Sequence, residues 1–101
     1  MANKEVSSKF RSALRSEAQS ISPIVMVGHE GITEGVVNAL SEALTCHELV
    51  KVRFQDFKDM TKNLAIELSE KTNSLLVSTT GFTAVFYKEN PEIKRYAKIV
   101  R

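Results

Sequence analysis

Apolar side chains recur at helical spacing in three stretches of the chain, and each stretch predicts an amphipathic helix. The first helix covers residues from about 5 to 20. The second runs from Thr33, a suitable N-cap, to about Thr45, and Asp59 is placed to cap a third that ends near residues 72–73. The side chains predicted to face inward are Val6, Phe10, Ala13, Leu14, Ala18 and Ile21, then Val36, Val37, Leu40, Ala43 and Leu44, then Met60, Leu64, Ala65 and Leu68.

Two apolar runs predict the first two strands. Residues 24–27 follow Pro23, which ends the first helix because the residue before a proline is driven into an extended conformation. The run does not alternate with polar residues, which favours a strand buried on both faces or placed centrally in a sheet. In residues 49–54 the apolar positions alternate with Lys51 and Arg53, which predicts one buried face and one basic face.

Residues 74–80 and 84–88 predict two further strands, joined at Gly81 by a connection so short that it favours an antiparallel hairpin. In the order α-β-α-β-α-β-β, the helical crossovers favour parallel neighbours, and the hairpin adds an antiparallel edge. We therefore expect an α/β fold of the α+β sandwich type. It would be a single compact domain with a mixed four-stranded sheet packed against helices.

The end of the chain departs from this pattern at Asn90-Pro91, because proline cannot donate to a strand ladder. We assign residues 1–90 to the domain and residues 91–101 to a basic C-terminal extension. Pro91 also suits the first position of a short helix. The side chains of that helix expected to face inward are Ile93, Tyr96, Ala97 and Val100.

The net charge of +2 is unevenly distributed along the 101 residues. Residues 1–15 and 88–101 each carry a balance of +3, and the part between them carries −4. Basic ends on an acidic body suit a polyanion held by the terminal segments. Short charged ends are equally typical of well-solvated termini, so charge alone leaves both interpretations open.

The chemistry-bearing side chains do not predict catalysis, a metal or a cofactor. Cys46 neighbours His47, but adjacent helical residues point about 100° apart, and we interpret the thiol as buried or half-buried. His29, Cys46 and His47 lack a zinc spacing, and no Walker or dinucleotide-binding motif occurs. A single cysteine fits a reducing compartment, and no apolar span or leader is visible, which predicts a cytoplasmic protein.

The strand-to-helix connection Gly28-His29-Glu30-Gly31 is the strongest candidate for a binding site. Two glycines allow a tight turn and a close approach to a ligand. The helix that follows, capped by Thr33, directs its free amides and the positive end of its dipole at the loop, which suits a phosphate. KH domains use such a loop to bind a sugar-phosphate backbone. Any tight strand-to-helix turn can produce the same G-x-x-G pattern, so a purely structural role stays open.

Basic side chains of the first helix extend this candidate surface. Lys4, Arg11 and Arg15 lie seven and then four residues apart, and they form one stripe opposite the apolar face. Such a stripe can follow a phosphate backbone, and it is also typical of a solvated helix face. Phe82 and Tyr87 are candidates for stacking on bases or for the core.

Four segments, taken in order, carry motifs typical of one family. They are Ser22-Pro23-Ile24-Val25-Met26-Val27-Gly28, Gly31-Ile32-Thr33-Glu34-Gly35-Val36, His47-Glu48-Leu49-Val50-Lys51-Val52 and Gly81-Phe82-Thr83-Ala84-Val85-Phe86-Tyr87-Lys88. In these segments the chain resembles the YhbY/CRM family of RNA-binding domains, named for chloroplast RNA splicing and ribosome maturation. The resemblance extends from about Phe10 to Lys88, most of the chain.

The resemblance implies a compact α/β domain similar to the C-terminal domain of bacterial translation initiation factor three. Stand-alone bacterial members associate with precursors of the large ribosomal subunit, and plant members carry the domain within organellar intron-splicing factors. A single domain with almost no extension resembles the bacterial type. The function implied is non-catalytic binding of ribosomal RNA during assembly of the large subunit. The alternative is a protein-interaction module that reaches the ribosome through a protein partner, with residues 93–100 as an amphipathic helix in a groove.

Two positions depart from the family pattern, and both remove positive charge. The family loop often offers Lys or Arg where this chain has His29 and Glu30, and a basic residue often follows the hairpin glycine where this chain has Phe82. Histidine supplies only partial charge near neutral pH, and a carboxylate repels phosphate. We therefore expect the loop backbone, rather than its side chains, to contact phosphate. The predicted RNA-binding residues are Gly28, His29, Glu30, Gly31, Thr33, Lys9, Arg11, Arg15 and Lys88.

Overall fold

The computed structural model describes residues 8–55 and 60–90. Residue 4 of the predicted basic stripe and the predicted C-terminal helix therefore lie outside the described residues. No helix within these two ranges has the length and apolar character needed to span a membrane. The elements are α1 (Ser8–Ala18), β1 (Val25–Val27), α2 (Glu34–His47), β2 (Leu49–Phe54), α3 (Thr61–Thr72), β3 (Leu75–Thr80) and β4 (Thr83–Tyr87).

The four strands form one mixed sheet in the order β1-β2-β4-β3, which confirms the predicted fold class. β1 pairs with β2 in parallel, and β4 pairs antiparallel with both β2 and β3. The hairpin adds an antiparallel edge as predicted, with β3 at that edge. The prediction that helical crossovers join parallel neighbours holds for β1 and β2 but is wrong for β2 and β3, because β4 lies between them. The crossover through α3 places β3 one strand beyond β2, and the hairpin returns β4 into the space between them.

The first strand is the second departure from the prediction. β1 is an edge strand rather than a central one, and it is buried on one face only. Val25 and Val27 are buried under α2, whereas Ile24 and Met26 are 56% and 48% exposed. The reason is that α1 packs on β2, β3 and β4 and leaves the outer face of β1 uncovered.

Helices cover both faces of the sheet, so the domain has two apolar clusters. α2 and α3 lie on one face and α1 lies on the other. The larger cluster contains Val25, Val27, Leu40, Leu44, Val50, Val52, Phe54, Ala65, Leu68, Ala84 and Phe86. The smaller cluster contains Phe10, Leu14, Ala18, Leu49, Leu75, Val77, Val85 and Tyr87.

Helix ends show where local signals act. Thr33 caps α2 as predicted, because its hydroxyl accepts a hydrogen bond from the Val36 amide at 3.2 Å. At the start of α3 the N-cap position is held by Met60, whose side chain makes no cap bond, and the predicted cap Asp59 lies outside the described residues. Met60 is 48% exposed, so its predicted inward position is wrong. Met60 lies just before the first residue of α3 and its φ is −114°, so the helical spacing that places Leu68 inside does not apply to it.

Candidate nucleic-acid interface

The glycine loop, residues 28–31, is a tight turn between β1 and α2. The Gly31 amide donates a hydrogen bond to the Gly28 carbonyl at 3.0 Å, and the Thr33 amide donates to the Gly31 carbonyl at 3.1 Å. Gly31 has a φ of +76°, a left-handed conformation that glycine adopts without steric cost. His29 and Glu30 at the tip are exposed.

The N-terminus of α2 stands directly behind this loop. One amide of its first turn, that of Val36, is engaged by the Thr33 cap, and the Val37 amide donates to the Thr33 carbonyl at 3.0 Å. Glu34 in the first turn places a carboxylate near the positive end of the helix dipole. At the glycine loop the helix N-terminus therefore favours an anion, whereas two exposed carboxylates, those of Glu30 and Glu34, oppose it.

Of the predicted basic stripe the structure describes Arg11 and Arg15, and these lie on a flank of α1 rather than opposite its apolar face. Arg11 is half-buried and Arg15 is exposed, and their spacing of four places them on one flank of the helix. The Arg11 Nε is buried and has no hydrogen-bond partner in the described part of the chain. Lys9 lies about 200° around the helix axis from Arg11, since each residue turns about 100°. The structure thus brings Arg11 and Arg15 together and separates Lys9 from them.

Lys88 lies at the other end of the sheet from the glycine loop. The loop follows the end of β1 beside Phe54, whereas Lys88 follows Tyr87, which pairs with Leu49 at the start of β2. The Lys88 Nζ donates to the carbonyl of Thr72, the last residue of α3, at 3.2 Å. A cation at a helix C-terminus is favourable, so this side chain has a structural partner there.

The exposure of the side chains tests two further predictions, on the Cys46 thiol and on the aromatic candidates for base stacking. Cys46 is exposed in the last turn of α2, so the interpretation of a buried or half-buried thiol is wrong. The turn faces solvent because Leu40 and Leu44 supply its buried side.

Tyr87 is 6% exposed and meets Phe10 edge-on at a centroid distance of 5.5 Å, so it belongs to the core rather than to a stacking surface. Phe82 is half-buried in the hairpin turn.

The structure also exposes a surface that the sequence motifs did not single out. On the α1 side of the sheet, at the end next to the glycine loop, β1, β2, β3 and β4 contribute side chains that α1 does not cover. We call this surface the open sheet face. It consists of Ile24, Met26, Lys51, Arg53, Ser78, Thr80 and Thr83.

A cleft of about 490 Å³ lies where the open sheet face meets α1. Arg15 lines it from α1 and Gln19 from the turn that follows, and Lys51, Thr80 and Thr83 are among the residues that line it from the sheet. These residues lie far apart in the sequence, so no motif spacing marks them. The one local signal was the alternation of Lys51 and Arg53 with core positions of β2.

Comparison with known proteins identifies the domain. Residues 6–88 match the model of the CRS1/YhbY (CRM) domain, which is most of the chain. The chain belongs to this family. The predicted resemblance is therefore confirmed, and the CRM domain comprises the described elements from α1 to β4.

Relatives of this CRM domain are known from several bacteria. An RNA-binding protein of Haemophilus influenzae is 36% identical over 90 residues, which cover 88% of this chain and 91% of that protein. The probable RNA-binding protein YqeI of Bacillus subtilis is 36% identical over 88 residues, which cover 86% of this chain and 92% of that protein. The solution structure of a hypothetical Staphylococcus aureus protein, proposed to bind RNA, has 38% identity and a TM-score of 0.79, covering 89% of this chain and 95% of that one.

Proposed function

We propose that this CRM domain binds RNA without catalysing a reaction, and that its target is ribosomal RNA in precursors of the large ribosomal subunit, in the cytoplasm. The observation that carries the proposal is the glycine loop. It is a hydrogen-bonded turn placed directly ahead of the α2 N-terminus, in a family whose relatives are named RNA-binding proteins.

The loop would bind phosphate through its backbone. A helix N-terminus presents amide donors and a positive dipole end, and Gly31, with a φ of +76°, has no side chain that would stand between the turn and a ligand. A carboxylate at Glu30 opposes an approaching phosphate, so the side chains of the loop contribute less than its amides.

Arg11 and Arg15 supply the charge that the loop lacks. On their shared flank of α1, Arg15 is exposed and Arg11 is half-buried. Arginine suits bidentate contacts with phosphate.

The loop is tested by comparing Gly31→Asp with Gly31→Asn. A Cβ at Gly31 meets no atom within 4 Å, so both side chains fit, and both residues tolerate a left-handed backbone. The two variants share the backbone strain and differ in charge. We expect Gly31→Asp to bind RNA about eightfold more weakly than Gly31→Asn at about 50 mM salt, the value for loss of one single-strand phosphate contact. Equal affinities of the two variants would place the phosphate contact elsewhere.

The target is tested by following the tagged protein through a ribosome gradient before and after nuclease treatment. We expect it to sediment with large-subunit precursors and to be released when the RNA is digested. Binding to RNA without sedimentation at these precursors would assign the domain to another RNA. A wild-type protein that binds no RNA at about 50 mM salt, where electrostatic binding is strong, would contradict the proposal as a whole.

A further inference from the structure

The cover that α1 gives to its side of the sheet decreases along the strands. The row of neighbours nearest the start of β2 consists of Leu49, Tyr87 and Leu75, which are 3%, 6% and 3% exposed. Phe10 of α1 packs edge-on against Tyr87 in this row. α1 therefore seals this end of the sheet.

The next row along the sheet is half-covered. The Ile24 amide donates to the Lys51 carbonyl at 3.1 Å, Lys51 pairs with Val85, and Val85 pairs with Ser78. Val85 is buried under α1, Lys51 and Ser78 are half-buried, and Ile24 is 56% exposed. Lys51, Val85 and Ser78 of this row line the cleft beside Arg15.

The outermost row is open to solvent. Met26 pairs with Arg53, Arg53 with Thr83, and Thr83 with Thr80, so the four side chains stand side by side across the whole sheet. Met26 is 48% exposed, Arg53 and Thr80 are exposed, and Thr83 is half-buried. Met26 also lies two residues before Gly28, so this row adjoins the glycine loop.

The chemistry of the open sheet face is ordered from edge to edge. At the β1 edge, Met26 and the preceding Ile24 present apolar side chains, β2 presents two cations, and β3 and β4 present hydroxyl groups. The Lys51 Nζ donates to the Ile21 carbonyl at 3.2 Å, which holds the ammonium beside the segment that follows α1 and leaves it further donors. The residues lining the cleft include Arg15 and Lys51 and, in the described part of the chain, no carboxylate.

We propose that the open sheet face binds single-stranded RNA, with phosphates beside Arg15, Lys51 and Arg53 and with bases lying on Ile24 and Met26. This inference rests on the proposed RNA binding and adds a second contact surface to the glycine loop. The cationic cleft is complementary to a polyanion. Apolar side chains can contact the faces of unpaired bases, which a duplex keeps stacked inside its helix. The hydroxyl groups of Thr80 and Thr83 can exchange hydrogen bonds with ribose or base edges.

The experiment measures the affinity of the full chain for two probes, a uridine-rich single strand of about 12 nucleotides and a duplex of the same length. The variants are Arg53→Ala and Met26→Gln. Lys62→Ala is the matched control, because Lys62 is an exposed cation on α3, which packs on the other face of the sheet. Thermal unfolding of each variant checks that the fold is retained.

For the single strand, we expect Arg53→Ala to bind about eightfold more weakly at about 50 mM salt and to lower the salt slope by about 0.7, the value for one phosphate contact. Met26→Gln is expected to weaken binding to the single strand with an unchanged salt slope and to leave duplex affinity unchanged, because it removes an apolar contact and no charge. Lys62→Ala is expected to stay within about twofold of the wild type, since it lies outside the surface.

The inference would be overturned if both open-face variants bound the single strand like Lys62→Ala while Gly31→Asp weakened binding, and that result would leave the proposed function standing. Equal losses on the duplex and the single strand for Met26→Gln would also overturn it. A wild-type chain that binds neither probe would instead contradict the proposed function itself.

Discussion

The two faces of the sheet are built from the same strands and differ in how far helices cover them. On the face under α2 and α3, the side chains of β2 and β4 are at most 1% exposed. On the α1 face, the same strand β2 passes from Leu49, which is 3% exposed, to Arg53, which is exposed. The fully covered residues are Val50, Val52, Phe54, Ala84 and Phe86.

The difference follows from dimensions. α1 has 11 residues, so it is about 16 Å long and about 10 Å wide. Four strands are about 14 Å across and a six-residue strand is about 20 Å long. Two helices can cover that area and one cannot. The fully covered face therefore supplies most of the stability, and the partly covered face retains surface for a ligand.

The largest effect is expected from Phe86→Ala on the fully covered face. Phe86 is 0% exposed within the larger cluster, and its truncation leaves a cavity between the sheet and two helices. We expect a loss of about 3–5 kcal/mol in the free energy of unfolding, measured by urea denaturation. A loss below about 1 kcal/mol would mean that this face can repack freely, and the contrast between the two faces would fail.

A smaller loss is expected from Leu14→Ala under α1. Leu14 is 0% exposed, but its cluster borders the open sheet face and can relax toward solvent. We expect about 2–3 kcal/mol, the lower part of the range for leucine truncation, in the same urea measurement. A loss as large as that of Phe86→Ala would show that α1 is as integral to the fold as α2 and α3.

The third effect concerns Glu48, a buried residue at the C-terminal end of α2 that binds the backbone following β4. Glu48 is 0% exposed, its Oε2 accepts a hydrogen bond from the Asn90 amide at 2.7 Å, and its carbonyl accepts from the Lys88 amide. Glu48→Ala keeps the φ of +65° and removes the acceptor, so we expect a loss of about 1–3 kcal/mol. Glu48→Gln retains an acceptor oxygen and should lose clearly less. Equal losses for the two variants would contradict a role for the hydrogen bond.

The order and type of the elements could be predicted from the sequence because each depends on local spacing. The amphipathic repeats, the Thr33 cap and the Gly81 hairpin each depend on residues that lie close together in the sequence. Strand order is not, because it depends on how the α3 crossover packs. The same dependence on tertiary packing explains why the exposed face of β1 was not predicted. The apolar run at residues 24–27 indicates a strand, but the exposure of Met26 depends on where α1 lies.

The candidate site divides in the same way. The glycine loop could be found because Gly28 and Gly31 lie three residues apart and Thr33 marks the following helix. The open sheet face could not, because Arg53 and Thr83 become neighbours only when β2 pairs with β4. Cations that alternate with core positions predict that the second face of the strand is basic. Whether a helix covers that face is decided by the length and position of α1.

The smallest effect on stability is expected from Met26→Ala, on the open sheet face itself. Met26 is 48% exposed, so its truncation removes little buried surface and leaves no cavity. We expect the free energy of unfolding to change by no more than about 0.5 kcal/mol in urea denaturation. A loss comparable to that of Leu14→Ala would mean that this side chain is covered, and the face would then not be open to RNA. A stable variant with weakened binding to single-stranded RNA would separate the ligand-binding half of the α1 side from the half that holds the fold.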